Sequence, residues 1–135
     1  MNMAAEFRDT ANRLFADLVT PATLEAAERG TPSPALWQVV VDSGFDLVLV
    51  PEAHGGVGGG LAEAAAVLLA AGEHALPGLL LETMLGNALL AQAGQPVSPA
   101  PLALAFAATG RETTLREVPW STEAAALLVL RPAAA

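Results

Sequence analysis

Between Ala4 and Val19 the apolar residues Phe7, Ala11, Leu14, Phe15, Leu18 and Val19 recur three and four positions apart. Glu6, Arg8, Asp9, Arg13 and Asp17 fall mostly on the other faces. That spacing predicts an amphipathic helix with one side committed to a core. Thr20-Pro21 then offers a cap and a first-turn proline for a short helix from Ala22 to Arg29, which Gly30 ends in the left-handed conformation. Ser33-Pro34 repeats the start signal. A third helix from Ala35 to Ser43 gathers Leu36, Trp37, Val40 and Val41 on one side before Gly44 stops it.

Phe45 to Val50 is short, apolar and blocked by Pro51, which predicts a brief extended segment entering a turn. Pro51 to Gly60 follows as a long loop with five glycines in its last six residues. Leu61 to Leu76 is apolar nearly all round, with Glu63 and Glu73 near its ends, and is expected to be the central buried helix of a bundle. Pro77-Gly78 separates it from a similar helix, Leu79 to Ala93, closed by Gly94. Gly86 inside that helix costs about 1 kcal/mol against alanine unless close packing requires it.

The texture then changes. Pro96, Pro99 and Pro101 crowd Gln95 to Pro101, which suits a linker. Beyond it Leu102 to Ala107, Thr114 to Val118 and Ala126 to Leu130 are candidate strands, although such alanine-rich runs suit helix and strand about equally. The tail from Arg131 to Ala135 is expected to fray. The division is a helical domain over residues 1–94, a proline-rich linker over 95–101 and a partial β segment over 102–135. The fold class is mainly α: a helical bundle followed by a few short strands.

With 135 residues, one compact core is expected. A composition 53% hydrophobic and 15% charged opposes disorder, and its apolar excess predicts faces that need a partner. The net charge of −8, with no basic cluster, argues against nucleic acid. No cysteine is present, so disulfides and thiolate metal sites are excluded and a reducing, cytoplasmic setting is compatible. Met1 to Phe15 alternates charged and apolar residues and has no export-signal pattern. The longest apolar run, Ala64 to Gly72, is nine residues, against the roughly 18–20 needed to span a bilayer.

Chemistry is sparse in the side chains. The glycine loop lacks the third glycine of the dinucleotide fingerprint, where Leu61 stands, and the Lys-Ser/Thr of a P-loop, where Leu61-Ala62 stand. A structural turn is therefore favoured over a phosphate cradle, although N–H groups ahead of the Leu61 helix would attract an anion. His54 and His74 have neither a cysteine nor a second histidine at metal-ligand spacing, so no metal site is expected. Glu52 and His54 are close enough for acid–base work, but a solvated loop pair is the simpler expectation. None of Ser33, Ser43, Ser98 and Ser121 lies in a nucleophile elbow, and no catalytic residue is assigned. Glu82 interrupts an apolar stretch, Leu79-Leu80-Leu81 before it and Met84-Leu85 after, where a carboxylate must be exposed or paired. Trp37 and Trp120 are expected to pack rather than bind.

Leu36-Trp37-Gln38, the Gly44-Phe45 break, Pro51-Glu52-Ala53-His54-Gly55-Gly56-Val57-Gly58 and the apolar helix after it resemble, in order and spacing, the N-terminal domain of acyl-CoA dehydrogenases. Residues 1–94 follow that plan, and Val118-Pro119-Trp120 to Leu130 resembles, more loosely, an early piece of the family's middle β domain. The resemblance implies FAD-dependent α,β-desaturation of acyl-CoA thioesters. In the family, FAD is bound by loops of the middle and C-terminal domains, and a C-terminal-domain carboxylate removes the α-proton. The family's Thr-Glu-Pro segment is absent, Ala107-Ala108-Thr109-Gly110 standing in that region, so this chain alone is not expected to hold FAD or to catalyse. By position, the resemblance puts Leu81, Glu82 and Leu85 near the far end of an acyl pocket. It gives Glu52, Gly55 and Gly56 a loop-shaping role. Expected partners are acyl-CoA and either further copies of the chain or a separate dehydrogenase subunit on which this chain docks as a non-catalytic partner. A third possibility is an independent helical module, in which Leu81, Met84 and Leu85 are simply core.

Overall fold

The computed structural model describes residues 2–31, 33–111 and 114–133. Ala134 and Ala135, in the tail expected to fray, lie outside the described residues. Five helices come first: α1 (Met3–Leu18), α2 (Pro21–Glu28), α3 (Pro34–Asp42), α4 (Leu61–Glu73) and α5 (Leu80–Gln92). Two strands follow, β1 (Leu102–Phe106) and β2 (Ala126–Leu130). The mainly helical fold class is as the sequence predicts.

The helix starts follow from their caps. The Asn2 side chain accepts from Ala5 N at 2.9 Å, Thr20 from Thr23 N at 3.2 Å and Ser33 from Leu36 N at 3.3 Å. Each bond satisfies a first-turn donor that the helix itself leaves unpaired.

The core forms where α1 lies on α4 and where α5 and α3 close over the segment after α3. Ala11, Phe15, Val40, Phe45, Val48, Val67, Ala70 and Met84 are buried together there. The Phe45 ring meets Phe15 edge-on at 5.8 Å and Phe7 at 6.2 Å, an arrangement that suits aromatic quadrupoles. Arg8 of α1 pairs with Glu73 at the end of α4.

Phe45 to Val50 departs from the extended form expected of it. Phe45–Leu47 is a 3-10 turn, with Leu47 N donating to Gly44 O and Val50 N to Leu47 O, each at 3.1 Å. Consecutive tight turns send Phe45, Val48 and Val50 into the core without a strand partner, so burial overrides β propensity here.

The fourth helix also differs from expectation. It stops at Glu73, because Ala75 takes a left-handed φ of 51° and Leu76 N closes back onto Ala71 O at 2.8 Å. This is the usual helix-ending geometry with alanine in the position that glycine normally fills. Nor is α4 buried all round: Ala64, Ala66, Val67 and Ala70 face inward, whereas Leu61 is 80% and Leu69 55% exposed. It is covered mainly from the side of α1.

The strands pair in parallel, Leu102 opposite Ala126 through Phe106 opposite Leu130. Thr114 to Val118 forms no strand. The pair rests on α5 at Gly86, where a Cβ would come within 3.0 Å of Leu102 and 3.4 Å of Leu104. The mid-helix glycine thus lets the strands approach closely, and Leu102 N adds a 3.0 Å bond to Thr83 Oγ1 of the same helix.

Candidate functional site

The residues singled out on the fifth helix divide by face. Leu80, Thr83, Met84, Gly86, Asn87 and Ala91 are buried and fix the helix to the core and to β1. Leu81 and Leu85, one turn apart, point the other way and are 44% and 38% exposed. Leu89 continues the same ridge half-buried, and Glu82 stands half-buried beside it. The result is an apolar ridge on a rigidly held helix with one carboxylate at its flank. Such a surface can bind an aliphatic group and has no means of activating one.

Asn87 and Thr83, neither of which the apolar periodicity marks, hold that helix in place. Asn87 Nδ2 donates to Ser98 O at 3.0 Å and more weakly to Asp46 O at 3.4 Å, while its Oδ1 accepts from Ser98 N at 2.8 Å. The proline-rich segment before β1 is thereby tied to α5. The available signal was a polar residue inside an apolar helix, the same signal that drew attention to Glu82.

Asp46 is the other buried polar group, 1% exposed, with neither carboxylate oxygen hydrogen-bonded. Desolvation pushes its pKa up from 3.8 to about 6, against a smaller lowering by its own backbone N–H.

Glu52, Gly55 and Gly56 lie in the loop before α4. Glu52 opens a 3-10 turn, Glu52–His54, and Gly55 ends it at φ 83°. A Cβ on Gly56 would overlap the Val50 carbonyl oxygen. Loop donors turn inward: Gly56 N to Pro51 O, Val57 N to Leu47 O, Gly58 N to Val50 O and Gly59 N to Val48 O. Gly60 N goes to Glu63 Oε2 at 2.8 Å. With those N–H groups engaged, the loop is a turn held against the core rather than an open phosphate cradle. This loop and the α5 ridge are separate features.

Glu52 and His54 are both exposed, and no group of three metal-ligating side chains occurs among the described residues. No helix among the described residues is long and apolar enough to cross a membrane. The glycine loop, the obvious anion-binding candidate, does not fit the phosphates of a flavin dinucleotide. The glycine loop spends its donors on the core, and after β1 the Thr109 hydroxyl oxygen accepts from Arg111 N at 3.3 Å.

A family model described as acyl-CoA dehydrogenase, N-terminal domain, matches residues 3–97, from the start of α1 into the segment that Asn87 holds. No curated protein and no solved structure matches the chain.

Proposed function

The chain belongs to the acyl-CoA dehydrogenase family, of which residues 3–97 carry the N-terminal domain, and on that premise we propose that it forms the N-terminal part of an FAD-dependent oxidoreductase that desaturates acyl-CoA thioesters. In this role α5 supplies the far wall of the acyl pocket through Leu81, Glu82 and Leu85. The observation that carries the proposal is the Leu81–Leu85 ridge, exposed on a helix whose opposite face is locked to the core and to β1. An aliphatic chain laid along it gains about 0.8 kcal/mol per buried methylene. Glu52, Gly55 and Gly56 shape the loop that leads into α4.

The contribution proposed for residues 3–97 is binding surface. The flavin-binding loops and the carboxylate that takes the α-proton belong, by the resemblance, to the family's middle and C-terminal domains. FAD supplies the oxidising group of the reaction, and the part played here is to place the acyl tail and keep water from it.

A second arrangement draws on Leu61, Leu69, Leu81, Leu85, Phe106 and Leu127, all exposed. So much apolar surface suits a helical subunit that docks on a separate dehydrogenase chain. Either arrangement is compatible with a cytoplasmic protein that works as an oligomer.

The test is flavin reduction. The protein is purified natively, with whatever co-purifies, and loss of flavin absorbance is followed on adding acyl-CoA thioesters of increasing length. Bleaching by a saturated acyl-CoA supports the desaturase role. A flavin-loaded preparation that no acyl-CoA bleaches contradicts it.

A further inference from the structure

Away from the α5 ridge, four parts of the chain converge on a cavity of about 70 Å³. The α2–α3 junction and α3 form one wall with Trp37 and Val40, and the turn between α4 and α5 forms another with Leu76 and Leu79. The turn before β2 borders its open side with Trp120, 40% exposed, and the half-buried Glu123. Roughly 10–15 Å³ of such space admits one water, so the cavity accepts a compact group of several heavy atoms.

The backbone marks it as more than a packing gap. Trp120, a bulky residue, has a left-handed φ of 55°. Bulky and β-branched residues avoid that region, and such strain collects at ligand clamps. The Trp120 turn is closed by Glu123 N donating to Trp120 O at 3.0 Å, which puts indole and carboxylate on the same cavity. Opposite them, Trp37 is held in orientation by Nε1 donating to Pro99 O at 3.0 Å.

The lining chemistry selects the ligand. Two indoles, aliphatic side chains and the residues Thr23, Thr31 and Ser33 border the space, and the charged side chain among its described lining is the Glu123 carboxylate. Glu123 accepts the Thr122 hydroxyl at 2.9 Å, and neither the Arg8–Glu73 nor the Arg29–Glu25 pair involves it. Arg29, beside the rim residue Gly30, turns instead toward Glu25 at 3.9 Å. Aromatic faces with an acid attract a desolvated organic cation, and the net charge of −8 raises the local concentration of any cation.

We propose that this cavity binds a small alkylammonium cation, its carbon groups between Trp37, Trp120 and Leu79 and its charge against Glu123. The site is separate from the acyl ridge and stands whether or not the chain serves a dehydrogenase.

The experiment follows the indole N–H resonances of Trp37 and Trp120 in the intact chain during titration with tetramethylammonium chloride, with sodium chloride at equal ionic strength and tert-butanol as controls. Saturable shifts of both indoles in the millimolar range are expected. Glu123→Gln, a rim change that removes charge and little volume, should weaken binding by about fivefold. Tert-butanol, the neutral compact analogue, should bind weakly to both forms. The proposal is overturned by indoles that do not shift saturably, by an equal response to tert-butanol, or by unchanged affinity in Glu123→Gln.

Discussion

Asn87 and Ser98 are hydrogen-bonded in both directions: Ser98 N donates to Asn87 Oδ1 at 2.8 Å, and Asn87 Nδ2 donates to Ser98 O at 3.0 Å. One side chain thus satisfies both backbone groups of a residue in the segment that joins the helices to the strands. Asn87→Ala removes both bonds and leaves a cavity beside unpaired backbone groups. It should cost about 2–4 kcal/mol in denaturant unfolding. Ser98→Ala keeps both backbone bonds and loses only the local hydroxyl contacts with Ala100, so about 1 kcal/mol is expected. Equal losses in the two variants would contradict the bridge.

Asp46 gives stability an unusual pH dependence. A carboxyl whose folded pKa is raised holds its proton more tightly in the folded state. Its cost is therefore absent below the unfolded value of 3.8, grows as pH rises through about 6, and is complete above that. The full cost is about 3 kcal/mol at most. Asp46→Asn cannot ionise, so its stability relative to the natural chain should improve as pH is raised from about 4 to about 7. The difference between the two unfolding curves isolates this group from the other carboxylates. A difference that does not change with pH would show that Asp46 is not desolvated as described.

The glycines are not equivalent. Gly56→Ala drives a methyl into the Val50 carbonyl and must open the loop, at an expected cost above about 2 kcal/mol. Gly72 lies exposed near the end of α4 with open space where a Cβ would stand. Gly72→Ala should therefore stabilise by up to about 1 kcal/mol through helix propensity alone. Thermal unfolding of the two variants compares the effects directly.

Exposed Leu61, Leu69, Phe106 and Leu127, together with an open two-stranded sheet, predict self-association of the purified chain. Light scattering over a concentration series should show oligomers or aggregates. A sharply monodisperse monomer would count against a role for these surfaces in assembly.

Most of the helical plan was legible because capping residues and three-four periodicity are local signals: Thr20-Pro21 and Ser33-Pro34 announced their helices directly. What the sequence hid depends on contacts between distant residues. The end of α4 rests on a left-handed Ala75, a position with no glycine to mark it. The turn at Phe45–Leu47 wins over a strand because its apolar residues meet α5 and α3 rather than a neighbouring strand. Trp37 and Trp120, expected only to pack, are far apart in sequence and meet across a cavity. On α5, a period of four separates the exposed Leu81 and Leu85 from the buried Met84, but a helix with leucines on several sides does not declare which face is which.

On the proposed function, the Leu81–Leu85 ridge limits the length of the acyl chain. This limit is tested by the chain-length profile of acyl-CoA-dependent flavin reduction in the natively purified protein together with the flavin-bearing part that co-purifies, with and without Leu85→Trp. Leu85 is 38% exposed, so the larger ring can be accommodated outside the core without unfolding the helix. The longest accepted thioesters should lose about tenfold or more in rate, while short ones are unaffected, since overfilling a pocket costs roughly 1–3 kcal/mol. A profile that is unchanged, or lowered equally at every length, would contradict it.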